Sequence, residues 1–327
     1  MACLTNYILV KGHCEGATPT SNLYINVNLP GITLEKAANT AEGALQTGVA
    51  LLNQSISNGI SRTRQDLIGA MLPLVRFNQL VSGGDYGEFT DTYLASYASA
   101  NRGVKATLDT CCRLGMMNIP RVRVLVNNSG SQTLTITDGV ATTAYAFTSV
   151  AGVPQYVETR YKSVTDTLYL TLSANLSVND SLLDRSGCGF CTTSCDHCSD
   201  CKCSYGLTVT GWDGANETGQ TYGIIPTIQV QCDAEKFFCE ISHLEMVQWA
   251  ALYAAGIDFL EFNLLTNRVN EYTIYNDHEE VRGVIADWEA KRKEKMDVLS
   301  KTLPIYLNSI DSCCIDCNAS TWEYSLP

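Results

Sequence analysis

Six cysteines fall within sixteen positions, Cys188, Cys191, Cys195, Cys198, Cys201 and Cys203, with His197 among them. The run from Gly187 to Ser204 reads C-x2-C-x3-C-x2-C-x2-C-x-C, and a C-x2-C pair lets one turn of backbone present two sulfurs to one tetrahedral ion. A thiolate is equally a disulfide partner, and the redox compartment decides between the two readings. Residues Met1 to Cys14 carry neither the basic start nor the long apolar stretch of a signal peptide, so the metal reading is favoured. The expectation is structural zinc held by four of the six thiolates, with His197 as a substitute ligand. An iron–sulfur cluster also takes four thiolates, but six cysteines crowded around a histidine suit zinc better. The flanks are Gly, Ser, Thr and Asp, which cannot order a loop by apolar burial and so require a staple.

Cysteines elsewhere divide into two groups. Cys3, His13 and Cys14 lie near one end of the chain and Cys313, Cys314 and Cys317 near the other. They read either as a second metal site or as ordinary free thiols. Cys111, Cys112, Cys232 and Cys239 stand in apolar or element-edge contexts and read as small core residues.

Catalytic constellations are not apparent. The chain has four histidines, His13, His197, His243 and His278, and none falls in an H-E-x-x-H pattern. Neither a G-x-S-x-G elbow nor a P-loop occurs, and no strand-then-glycine unit suggests a dinucleotide site. Redox catalysis by a C-x2-C pair would need a thioredoxin-like βαβ frame, which the pattern lacks. His243, near Glu240 and Glu245, reads as a partly buried structural histidine. The pair Glu279-Glu280 reads as charges that suit a helix N-terminus. The reading is a protein that is not an enzyme.

The elements that must position these residues follow from periodicity. Thr33 is a candidate N-cap, and Leu34, Ala37, Ala41, Leu45, Gly48, Leu52 and Ile56 recur at helical spacing. Asn58-Gly59 is expected to break that helix, with Leu67, Ala70, Met71, Leu74 and Val75 continuing in a second one that forms a hairpin with the first. Tyr93 to Ala106 has no dominant period. After Pro120 the period becomes two, in Val122/Val124/Val126, Leu134/Ile136, Tyr145/Phe147 and Leu168/Leu170/Leu172, and again in Leu207/Val209, Ile224/Ile225 and Ile228/Val230. From Asp233 one helix of more than twenty residues is predicted, with Phe237, Ile241, Leu244, Val247, Ala251 and Ala254 on one face. A final helix from about Asp277 is predicted to end at Leu303, before Pro304.

The fold class expected is α+β. Helices from both ends of the chain form a bundle, and an antiparallel β-sandwich or barrel carrying the Cys-rich loop is inserted between them. In residue numbers, 1–31 is an N-terminal arm, 32–118 the first part of the bundle and 119–232 the β domain, with the Cys-rich loop at 187–204. The second part of the bundle is 233–310, and 311–327 is a Cys-containing tail. The formal charge of −12, from 22 basic and 34 acidic residues, argues against a phosphate-tracking surface. The apolar stretch Val247 to Leu265 carries Asp258 and Glu261, which makes membrane insertion costly and predicts a buried helix.

The segment Ser21-Asn-Leu-Tyr-Ile-Asn-Val-Asn-Leu-Pro-Gly-Ile32, followed by the Ala-rich stretch Leu34 to Leu52, resembles the start of virion proteins of tailed phages of Bacteroidetes hosts, of the crAss-like type. The pair Cys3 and Cys14 ahead of it is similar to those proteins as well. The resemblance covers roughly residues 1–80 and implies a neck component: a head-to-tail connector, or ring protein, stacked below the portal. It further implies a homo-oligomeric ring of about twelve copies, contacts with the portal and other neck or tail proteins, and assembly in the bacterial cytoplasm. Genomic DNA would pass through the ring without sequence-specific binding, and an acidic lumen suits that passage. No catalytic residue carries over.

A second class of function remains open. Ser129 to Gly139 and Thr167-Leu-Tyr-Leu-Thr-Leu172 have the texture of a lectin-like sandwich, as in a receptor-binding or capsid-decorating protein on the virion surface. In that reading Trp212 and Tyr222 stack on a sugar, against the commoner fate of such aromatics in cores and interfaces.

Overall fold

The computed structural model describes residues 4, 6–12, 19–41, 45–75, 77–78, 80–89, 95–97, 102–108, 114–126, 128–173, 176–178, 180–181, 207–265, 278–308 and 314. The fold is α+β, and the chain divides into two compact units. One comprises residues 1–72 with 235–306, the other 73–234 with 307–327.

The first unit is helical. A parallel pair of short strands, β1 (Ile8–Leu9) and β2 (Leu23–Tyr24), leads into α1 (Ile25–Asn28), α2 (Leu34–Thr40) and α3 (Leu45–Met71). The return half supplies α4 (Ala234–Ile241), α5 (Glu245–Leu265) and α6 (His278–Asn308). Thr33 caps α2 as the sequence predicts, its hydroxyl accepting from the Lys36 N–H at 3.1 Å. On α3 the buried positions Leu52, Ser55, Ile56, Gly59, Thr63, Leu67 and Met71 recur every three or four residues, and small residues occupy the middle of that stripe. They meet the small residues of α5. A Cβ placed on Gly59 would lie 2.4 Å from the Ala255 backbone nitrogen, so only glycine permits this approach.

That contact corrects the expected break at Asn58-Gly59. α3 runs through both residues without interruption, because the glycine serves helix packing there and its backbone stays helical. α2 and α3 also approach closely, so that a Cβ on Gly48 of α3 would lie 2.6 Å from the Ala38 nitrogen of α2. The helix predicted from Asp233 is likewise two helices. α4 and α5 are separated at Ser242–Leu244, and Gln248 donates to the Ser242 and His243 carbonyls at 3.1 and 3.2 Å. The break thus keeps its freed acceptors satisfied. α6 does not stop before Pro304 but runs through it to Asn308, with the proline near its end. Trp288 of α6 is 2% exposed. Its ring packs so near Gly256 of α5 that a Cβ there would lie 2.7 Å from Cζ3, with Leu29 closer still.

The second unit holds strands β3 (Leu80–Asp85), β4 (Glu88–Phe89), β5 (Ala95–Tyr97), β6 (Gly103–Leu108), β7 (Gly115–Val124), β8 (Gly130–Thr137), β9 (Thr142–Ser149) and β10 (Gln155–Lys162). They are followed by β11 (Thr167–Leu172), β12 (Leu176–Val178), β13 (Asp180–Ser181), β14 (Leu207–Trp212), β15 (Glu217–Thr218) and β16 (Ile224–Cys232). Pairing in this unit is antiparallel throughout these strands. A four-stranded sheet has the order β10-β7-β16-β3, a six-stranded sheet the order β15-β14-β6-β11-β8-β9, and β12-β5 and β13-β4 are two-stranded.

Alternation sends Val104, Ala106, Leu134, Ile136, Leu168 and Leu170 of one sheet and Met117, Ile119, Val122, Val124, Ile228 and Val230 of the other into one hydrophobic cluster. The strands of this unit thus begin at Leu80, well before residue 119 where the β domain was expected. The apolar alternation of Val104, Ala106 and Leu108 lies partly inside the Tyr93–Ala106 stretch to which the sequence assigned no period. The expected strand pairs Ile224/Ile225 and Ile228/Val230 belong to one strand, β16, with a bulge between Thr227 and Gln229.

Candidate functional site

The outer face of the six-stranded sheet is built by strict alternation. While Leu168, Leu170 and Leu172 of β11 point into the core, Thr167, Tyr169 and Thr171 point outward and stay half-exposed. β8 does the same with Thr133, Thr135 and Thr137, and β14 with Thr208, Thr210 and Trp212. Between them β6 contributes Gly103, Lys105 and Thr107. Register sets Trp212 opposite Gly103, and Lys105 opposite both Thr210 and Tyr169. A Cβ on Gly103 would lie 1.7 Å from the Leu170 carbonyl oxygen, so no side chain fits there. The Trp212 ring of β14 meets Tyr169 of β11 across β6, with ring centroids 5.4 Å apart and planes at 57°.

Lys105 lies beside this pair, its ammonium 5.9 Å from the Trp212 ring centroid and 2.6 Å from the Glu217 carboxylate on the edge strand β15. The hydrogen bond to Glu217 raises the Lys105 pKa, against the opposing effect of burial. The platform therefore combines two tilted aromatic rings, a row of hydroxyls and one internally neutralised ion pair. It can stack on a flat ligand and exchange hydrogen bonds with it, without attracting charge.

This outcome keeps one of the two aromatics that the sequence put forward and removes the other. Trp212 stands on the open face, but Tyr222 is 4% exposed and its hydroxyl meets Thr218 at 3.2 Å. Tyr169 takes the place given to Tyr222. The alternation Thr-Leu-Tyr-Leu-Thr-Leu carried the signal for it, but only the β14-β6-β11 strand order brings Tyr169 to Trp212.

A second concavity, of about 260 Å³, lies in the helical unit between Glu245, Met246, Trp249 and Tyr253 of α5 and Lys295 of α6. Trp249 donates its indole N–H to Glu245 at 3.2 Å and lies 5.7 Å from the Tyr253 ring at 34°. His243 sits in the break between α4 and α5, exposed and 6.1 Å from the Tyr306 ring, so it is not the half-buried helix residue that was expected. Glu279 and Glu280 occupy the first turn of α6, as the helix dipole favours.

The cysteine cluster Cys188, Cys191, Cys195, Cys198, Cys201 and Cys203, with His197, lies outside the described residues, as do Cys3, His13, Cys14, Cys313 and Cys317. Cys314 is described, and it is bonded to Cys232 in a disulfide with a Cα–Cα distance of 5.5 Å. A disulfide sulfur has no thiolate to offer a metal, so this pairing removes Cys314 from the terminal metal site envisaged for it. Cys232 is buried at the end of β16, as a core residue would be, but it is a cross-link and not a free thiol. Cys239 is disulfide-bonded too. Among the described residues no three His, Cys, Asp or Glu side chains gather as metal ligands would.

Compared with protein families, with curated proteins and with solved structures, the chain has no match. Among the described residues no helix is long and apolar enough to cross a membrane.

Proposed function

We propose that this chain is a structural, non-catalytic virion protein: a ring-forming head-to-tail connector of a tailed phage, joining the portal to the tail. In this reading the helices at both chain ends form the ring-building bundle, and the two sheets form an inserted β-sandwich that carries the Cys188–Cys203 loop, stapled by zinc. The observation that supports it most is the division of the chain, in which residues 1–72 and 235–306 make one helical unit around an inserted β unit. The segment that resembles neck proteins lies in that unit, with Leu23, Ile25, Leu29 and Ile32 buried. Trp288, 2% exposed, is buried within the helical unit and leaves no surface there for a second copy. The Met246–Trp249–Tyr253 groove is the anchor between copies, within an interface larger than about 1,000 Å².

The test is electron microscopy of the purified chain, together with gold-labelled antibody on intact particles. Rings of about twelve copies and label at the neck are expected, and Trp249→Asp should abolish the rings while circular dichroism stays unchanged. Monomers in solution, with label on the capsid surface or fibres, would transfer the protein to the second reading. Elemental analysis of freshly reduced protein tests the zinc. Less than about half an equivalent, with disulfides mapped within the Cys188–Cys203 loop, would replace the metal by a covalent staple.

That second reading makes the β unit a virion-surface binding module. It is favoured by the tilted Tyr169–Trp212 pair on the outer sheet face, since cores and edges do not require aromatics there.

A further inference from the structure

We propose that the outer face of the six-stranded sheet binds a neutral polysaccharide, with Trp212 and Tyr169 as its stacking platform. The inference rests on the binding-module reading of the β unit and adds the class of ligand. Three features of the face select that class.

The first is the pair of rings. Two half-exposed aromatic faces inclined at 57° with centroids 5.4 Å apart form a shallow angle into which the C–H face of a pyranose fits. The ring quadrupole presents a negative face to those C–H bonds.

Hydroxyls are the second. Thr171 of β11 is registered opposite Thr135 of β8, in the row that Gly103 and Trp212 complete, and Thr137 of β8, Tyr169, Lys105 and Thr210 of β14 make the next row. Neighbouring strands lie about 4.8 Å apart, so hydroxyls stand around the aromatic pair in two adjacent rows. Each hydroxyl both donates and accepts, as a sugar hydroxyl does, and together they can follow a chain of sugars across the face.

Charge is the third. Lys105 is held by Glu217 at 2.6 Å, so the platform offers no unopposed cation to a phosphate or a carboxylate. A protein partner would instead favour a larger apolar patch at the centre of its interface, where this face surrounds its two rings with threonines. The occupant whose chemistry complements rings, hydroxyls and a neutral balance is an uncharged glycan.

The full chain should be applied to a printed array of neutral and acidic glycans, and the best neutral oligosaccharide then titrated by tryptophan fluorescence. Preference for neutral glycans is expected, with a loss of at least about tenfold in affinity for Trp212→Ala. Thr171→Val keeps the shape of the side chain and removes only the hydroxyl, so it should also weaken binding while melting like the parent. Absence of any neutral-glycan signal, or parental affinity in both folded variants, overturns the inference. Capture on bacterial envelope fragments, native or periodate-oxidised, separates it from the reading beneath. Capture that resists periodate yet is lost in Trp212→Ala overturns the glycan and leaves the binding module. No capture on native fragments, combined with a silent array, overturns both.

Discussion

Asp138 shows how much one side chain can organise. It is 4% exposed at the end of β8. Its carboxylate accepts from the backbone N–H groups of Val140 at 3.0 Å, Ala141 at 2.8 Å and Val164 at 2.8 Å. The β8–β9 turn is thereby tied to the connection between β10 and β11. Burial by itself would raise the pKa, but the donors from Ala141, Val164 and Val140 outweigh it and hold the group at about 2. The Tyr161 hydroxyl adds to this from nearby without reaching hydrogen-bond geometry. The folded value lies below the ordinary 3.8, so the stabilisation is complete above that value and is lost as pH falls through about 2. Guanidinium unfolding at pH 6 and at pH 2.5 should show this decline in the parent and much less of it in Asp138→Asn. Asp138→Ala takes the acceptor from three part-buried backbone donors and should cost about 1–3 kcal/mol at pH 6. The Asp138-Gly139 turn was legible in the sequence. Its long-range bond to Val164 was not, because nothing local connects the two.

At the scale of elements, α3 contains its own control experiment. Gly59 and Gly69 lie on the same helix, yet a Cβ at Gly59 would fall 2.4 Å from the Ala255 nitrogen while one at Gly69 would meet nothing within 4 Å. Helix propensity favours alanine at both sites by about 1 kcal/mol. Gly69→Ala should therefore stabilise by about 0.5–1 kcal/mol. Gly59→Ala forces the two helices apart and should destabilise by about 1–3 kcal/mol. Thermal melts of the two variants measure both, and equal shifts of the same sign would show that α3 and α5 do not pack as described. Sequence periodicity found the apolar stripe of α3 but read its glycine as a terminator. A glycine inside a helical pattern marks either an end or a close contact, and only the partner helix tells which.

For the whole molecule, the Cys232–Cys314 bond closes a loop across a sequence separation of 82, and both residues are buried. In the loop-entropy account a bond of that span contributes about 3–5 kcal/mol. Cys232→Ser with Cys314→Ser should lower the melting temperature, and peptide mapping of the unreduced parent should return the linked pair. The division into units makes a separate prediction. Arg64 near the end of α3 pairs with Glu235 at the start of α4, so a short Gly/Ser linker in place of residues 73–234 can join the ends of the helical unit. That remnant should be helical by circular dichroism and melt cooperatively. A random-coil remnant would mean that the helical half draws its core from the β half.

The sequence by itself determined the α+β class, the Thr33 cap, the alternation of β7, β8, β9, β11, β14 and β16, and the burial of α5 despite its Asp258 and Glu261. Each of these depends on residues within a few positions of one another, where propensity and period act. Tertiary structure decided what depends on distant partners. It made Gly59 a contact, paired Cys314 with Cys232, drew 80–85, 95–97 and 103–108 into sheets, and exchanged Tyr222 for Tyr169 beside Trp212. The physical reason is the same each time: period fixes which way a side chain points, and strand order and helix packing fix what it meets.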